Sequence, residues 1–243
     1  MAGTDSASVH APVEAVIFDW GGTLTPWHDI DFEAEAMSYA AAYGDPDLSA
    51  RLREATAVAW ARARSEHSSA RIEEILVEAG ADVHGEAHLT ALAAYRTFWE
   101  PHTATDPQVR QLWEGLRDSG IRVGVLSNTI WDRDYHRGLF ERDGVLDLID
   151  GDVYSSEIPW VKPHHEAFLA AADAVRADPA KCVYVGDRLF EDVHGPQQVG
   201  MRAIWIPHSV LPDAQVVPTD AEPDAVAHEL LDVVDVVRRW MDS

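Results

Sequence analysis

Five side chains sit where short apolar runs end or where a helix begins. Asp19 follows residues 13–18 (VEAVIF), and Ser127 follows residues 121–126 (IRVGVL). Lys162 precedes Pro163, Asp187 comes just after residues 182–185 (CVYV), and Asp192 lies five residues further on. Together they can transfer a phosphoryl group. A carboxylate can attack phosphorus to give an aspartyl-phosphate. Paired carboxylates hold a hard divalent cation that neutralises charge. A hydroxyl and an ammonium can grip the remaining phosphate oxygens. Read singly, the acids and the serine are equally helix caps or first-turn residues, and the lysine a solvated surface group. Only a fold that brings all five to one place makes them a site.

The rhythm of the chain supplies such a fold. From residue 103 onward short apolar strands alternate with helices. Strands are expected at 13–18, 121–126, 151–154, 182–185 and 203–206. Helices are expected at 107–118, 133–142, 163–175, 190–199 and 224–240. This alternation predicts an α/β, Rossmann-like parallel sheet with helices on both faces. Ligands of such sheets bind beyond the carboxyl ends of the strands, which is where the five residues fall. Residues 31–99 differ. They are rich in Ala, Glu and Arg, with apolar residues at three- and four-residue spacing, and predict about four amphipathic helices inserted into the alternation. The expected organisation is a core of residues 11–28 and 103–243, an all-helical insertion over 29–102, and a loose tail at 1–10.

Bulk composition limits the partners. The 243 residues carry 42 acidic and 19 Lys or Arg side chains, a net charge of -23. That field repels nucleic acid and anionic membrane surfaces. The two lysines, Lys162 and Lys181, are scarce enough that one inside a motif carries weight. The single cysteine, Cys182, allows no internal disulfide and suits a reducing cytoplasm. The first residues lack the charged and apolar regions of a secretory signal, and no apolar run is long enough to span a bilayer.

Four stretches in order, FDWGGTLT, VLSNT, the KP of WVKPHHEAF, and VGDRLFEDVHG, resemble the motifs of the haloacid dehalogenase-like (HAD) hydrolase superfamily. The helical insertion resembles a C1-type cap. The resemblance implies a Mg²⁺-dependent phosphohydrolase of a small phosphorylated metabolite, monomeric or homodimeric. It assigns Asp19 as nucleophile and metal ligand, and the Gly21 backbone carbonyl, Asp187 and Asp192 to the metal. Lys162, Ser127 and the adjacent Asn128 go with the phosphoryl group, and Thr23 with the nucleophile loop.

Gly21 departs from the pattern. Family phosphatases commonly carry there an Asp that protonates the leaving group. With glycine the metal's carbonyl ligand survives while the proton donor is gone. A phosphohydrolase could use a good leaving group or another acid, and His28, Asp29 and Asp31 lie just beyond the loop. Haloacid dehalogenases also lack this Asp, yet they lack the metal-binding pair of the fourth motif as well. Phosphonoacetaldehyde hydrolases share the Asp-Trp opening and need a cap lysine, which residues 31–99 do not contain. A non-catalytic binding module is the remaining reading. Elsewhere, His84 and His88 have the spacing of a zinc pair or of surface histidines, and His164-His165 sit where they would cap or flank a helix or contact a substrate. Trp60 and Trp99 are expected in the core of the insertion.

Overall fold

The structure is a computed structural model that describes residues 12–208 and 216–242. The tail expected over residues 1–10 lies outside them. Six parallel strands form one sheet in the order β3-β2-β1-β4-β5-β6. They are β1 (Ala15–Phe18), β2 (Arg122–Ser127), β3 (Gly151–Tyr154), β4 (Cys182–Gly186), β5 (Arg202–Trp205) and β6 (Ala225–Val226). β1 lies inside the sheet, with Phe18 in register with Val125 on one side and Val185 on the other. Asp19, Ser127 and Asp187 therefore leave the sheet at one edge, within a residue of a common line.

The strands are apolar on both faces because both are covered. Val16, Phe18, Val123, Val125, Val183 and Val185 pack under α5 (Val109–Asp118) and α9 (Asp232–Met241), around the fully buried Trp113. Ala15, Ile17, Leu126, Cys182 and Tyr184 pack on the opposite face against Phe168 and Ala171 of α7 (His165–Ala174). No helix among the described residues is long and apolar enough to cross a membrane.

Residues 31–99 resolve into α1 (Phe32–Tyr43), α2 (Leu48–Glu66), α3 (Ile72–Glu78) and α4 (Glu86–Trp99). Asp31 caps α1 by accepting from the Glu33 and Ala34 N–H groups, and Gly44 ends it in the left-handed region. Alanines 36, 40, 55, 59 and 91 are buried, which lets the helices approach closely around Tyr39, Leu52, Ile75 and Tyr95. Trp131, from the loop before α6 (Arg133–Arg142), joins this second core. The loop between α2 and α3 is laced to the segment ahead of Lys162. The Ser69 N–H donates to the Pro159 carbonyl (3.2 Å), and the Val161 N–H to His67 (3.0 Å). The Ser69 hydroxyl donates to Ile158 (2.6 Å), and the Arg71 guanidinium to Ser156 (2.7 Å).

Several boundaries differ from expectation. The helix expected over 224–240 begins only at Asp232, and its first residues are instead the edge strand β6. The Asp224 carboxylate accepts from the Ala203 N–H at 2.8 Å, which fixes that strand beside β5. The helix expected over 190–199 is a π-helical turn, Leu189–His194, followed by the short α8 (Gly195–Gln197). Trp60 is 41% exposed on α2 rather than part of a core. His88 is buried and bonded to the Tyr39 hydroxyl at 2.9 Å, whereas His84 is exposed, so the two are not a zinc pair.

Candidate active site

The edge beyond β2, β1 and β4 gathers the polar residues that the apolar strands deliver. Asp19, 5% exposed, is fixed by its own N–H, which donates to the Val185 carbonyl at 2.9 Å. The Lys162 ammonium lies at the centre. It donates to Asp19 Oδ1 (2.7 Å), Asp192 Oδ1 (2.7 Å) and the Tyr184 hydroxyl (2.9 Å), which uses all three of its protons. Burial alone would lower its pKa. The charges of Asp19 and Asp192 outweigh that and hold it well above the usual lysine range.

Asp187 and Asp192 come from the turn after β4. Burial pushes the Asp192 carboxyl upward, with Lys162 opposing; its second oxygen accepts from the Arg188 N–H at 3.0 Å. Gly186 is required there because the Asp192 side chain lies where a Cβ would be. Burial first, then the Asp19 charge, push the Asp187 carboxyl up to about 6. Its Oδ2 accepts from the Trp27 indole at 2.7 Å, while its Oδ1 is buried and has no partner among the described residues.

Asp19, Asp187 and Asp192 each offer an oxygen, all within 4.8 Å of one another. Three carboxylates against one buried ammonium leave an excess of negative charge when all are ionised, which the nearby Arg188 guanidinium offsets in part, in a region where unpaired charge is costly. An orphaned carboxylate oxygen and an all-oxygen donor set fit a hard dication such as Mg²⁺. This is the one such cluster found among the described residues.

The rest of the expected set divides. Ser127 is buried at the end of β2, on the same edge. The Asn128 side chain turns to the backbone of Lys162, accepting from its N–H at 2.8 Å and donating to its carbonyl at 3.1 Å. Its amide thus clamps the lysine segment. Thr23 is fully buried with an unpartnered hydroxyl. At Gly21 a Cβ would meet, among the described residues, only the Trp27 ring, at 3.9 Å. At Gly22, where φ is +88°, a Cβ would collide with Trp27 and Asp187. Of the acids beyond the loop, Asp31 is committed to capping α1, and Asp29 and His28 are exposed. His28 packs its ring on His102, 5.2 Å between centroids.

Four site residues escape the sequence reading. Tyr184 anchors Lys162 and donates to the Leu126 carbonyl at 2.9 Å; a tyrosine inside an apolar strand was its signal. Trp205 donates to the Asp187 carbonyl at 2.8 Å. A His208 ring nitrogen lies 3.1 Å from the Gly22 carbonyl; it follows β5, and the strand-end rule would have found it. Trp27 had no signal, since a lone tryptophan in a loop belongs to no pattern.

The sequence model of the haloacid dehalogenase-like hydrolases matches residues 13–200. The chain belongs to that family and is a hydrolase of its kind. A glyceraldehyde 3-phosphate phosphatase of Methanopyrus kandleri is 26% identical over 235 residues, 93% of this chain and 97% of that protein. One from Methanothermobacter thermautotrophicus is 31% identical over 118 residues, 49% of this chain and 48% of that protein. Among solved structures, a 2-haloacid dehalogenase from Pseudomonas syringae has a TM-score of 0.65 at 26% identity, covering 94% of this chain and 99% of that one. A HAD phosphatase from Thermococcus onnurineus has a TM-score of 0.63 at 22% identity, covering 93% and 98%, which is a likeness of fold.

Proposed function

We propose that the protein is a Mg²⁺-dependent phosphohydrolase of a small phosphorylated metabolite. The observation that carries this reading is the buried cluster of Asp19, Asp187 and Asp192, with Lys162 at its centre and an orphaned Asp187 oxygen. Asp187, Asp19 and the Gly21 carbonyl would hold the ion, with Asp192 supporting them through Lys162. When bound, the ion neutralises phosphate charge and orients the ester for in-line attack.

The chain's own residues do the rest. Lys162 fixes the orientation of Asp19. An Asp19 carboxylate oxygen attacks phosphorus, the phosphorus–oxygen ester bond breaks, and the leaving alkoxide takes a proton from solvent water. Water then attacks the aspartyl-phosphate, releasing inorganic phosphate and restoring the carboxylate. Ser127 supplies a hydroxyl to a phosphate oxygen. Residue 21 supplies no proton, so ester reactivity depends on how well the leaving group departs. The helical insertion, residues 29–102, serves as the cap over a core of residues 11–28 and 103–243. Its lacing to the segment ahead of Lys162 supports that role.

The similarity to archaeal glyceraldehyde 3-phosphate phosphatases makes triose phosphates the first substrates to test. Purified protein with Mg²⁺ should release phosphate from an activated aryl phosphate, and from some member of a panel that includes glyceraldehyde 3-phosphate. Asp19→Asn should abolish release on all of them. Undiminished release by Asp19→Asn would sink the assignment, and metal-independent halide release from 2-haloacids would replace it with dehalogenation.

A further inference from the structure

Asp187 is gripped by two indoles. Trp205 Nε1 holds its backbone carbonyl at 2.8 Å, and Trp27 Nε1 holds its Oδ2 at 2.7 Å. Trp27 comes from the nucleophile loop, 160 positions away in sequence. Its ring is itself confined. On one side lies Gly22, where any side chain would occupy the space of the indole nitrogen. The Arg188 guanidinium lies 5.0 Å from the ring centroid. The indole thus reaches Asp187 through a gap that the second glycine keeps open.

We propose that Trp27 is a positioning residue for the metal. By occupying Oδ2 it fixes the carboxylate's rotation and leaves Oδ1, the buried oxygen without a protein partner, as the atom presented to the ion. The proposal rests on the reading of Asp187 as a metal ligand. Hydrogen bonds to ligating carboxylates orient them, and losing such a partner typically weakens metal binding about ten- to hundredfold. An indole suits this role because it donates without accepting, so it competes for neither the ion nor its waters. A purely structural alternative exists, in which Trp27 only satisfies a buried carboxylate. That role would affect folding stability and leave metal affinity alone.

The test titrates MgCl₂ calorimetrically into the full-length protein and three variants. Trp27→Phe keeps a ring and deletes the donor, Asp187→Asn deletes the ligand, and Trp60→Phe removes an exposed tryptophan from α2. Asp187→Asn is expected to abolish binding, Trp27→Phe to weaken it about ten- to hundredfold, and Trp60→Phe to match the parent. Parent-like affinity in Trp27→Phe, with none in Asp187→Asn, overturns the role of Trp27 and leaves the metal site standing. Parent-like affinity in Asp187→Asn overturns the metal site itself. If Trp27→Phe fails to fold, the unmutated protein still answers. The indole N–H resonance of Trp27, assigned through its backbone, should move most among the tryptophans on adding Mg²⁺. A resonance that stays in place refutes the proposal.

Discussion

Restoring an acid at residue 21 tests the proton account most directly. Gly21 has room for it: a Cβ there would make one ordinary contact among the described residues, 3.9 Å from the Trp27 ring, and its φ lies outside the left-handed region. A side chain at Gly22, by contrast, would meet a collision and a φ of +88°. Gly21→Asp should therefore fold. A positioned general acid contributes about 10²–10⁴-fold, or roughly 2.7–5.4 kcal/mol of barrier. That gain should appear in full on alkyl phosphates, whose alkoxides leave poorly, and shrink on nitrophenyl phosphate, whose phenolate leaves unaided. The assay is kcat/KM at saturating Mg²⁺ across esters of graded leaving-group acidity, with Mg²⁺ affinity measured alongside. The plot of log kcat/KM against leaving-group pKa should be steep for the parent and shallow for Gly21→Asp. A uniform shift across the series would refute the reasoning, because an acid that helps every leaving group equally is not protonating it.

Two predictions concern stability. Lys162→Met removes the ammonium between two buried carboxylates, and unpairing buried charge costs about 3–5 kcal/mol. Urea unfolding without metal should show that loss and added Mg²⁺ should reduce it; a variant as stable as the parent would contradict the central role of Lys162. His136 is fully buried between Trp20 and Tyr154, and burial pushes its imidazole down to about 3 from 6.5. The unfolded chain takes up this proton near pH 6.5 and the folded chain does not, so acidification favours unfolding. Between about pH 6.5 and pH 5 the parent should lose about 2 kcal/mol that His136→Phe keeps. Parallel stability curves for the two would rule this out.

The sequence disclosed what regular patterns encode. Alternating apolar strands gave the parallel sheet, and the strand-end rule placed Asp19, Ser127 and Asp187 on one edge. Three- and four-residue periodicity over residues 31–99 gave four helices. What escaped obeys no period. β6 is two residues long, too short for alternation to show, and it exists because β5 and the Asp224 carboxylate hold it. The π-helical turn after β4 reads as ordinary helix until Asp192 is seen lying against Gly186. Asn128 sits in a recognisable motif, but its use, clamping a backbone 34 positions away, is a tertiary fact. Trp27 reaches Asp187 because Gly22, lacking a side chain, leaves the gap between them open.

The Lys162–Asp19 ion pair joins positions 143 apart, and that interval is also a delay. At ribosomal speeds of about 5–20 residues per second, Asp19 waits roughly 7–30 s for its lysine, and longer for Asp187 and Asp192. By then α1 to α4 and the first three strands have been synthesised. A translation product stalled short of Lys162 thus carries Asp19 and the whole helical insertion, yet has neither the ion pair nor the carboxylate cluster. The carboxylate cluster is therefore completed last, when the turn after β4 supplies Asp187 and Asp192.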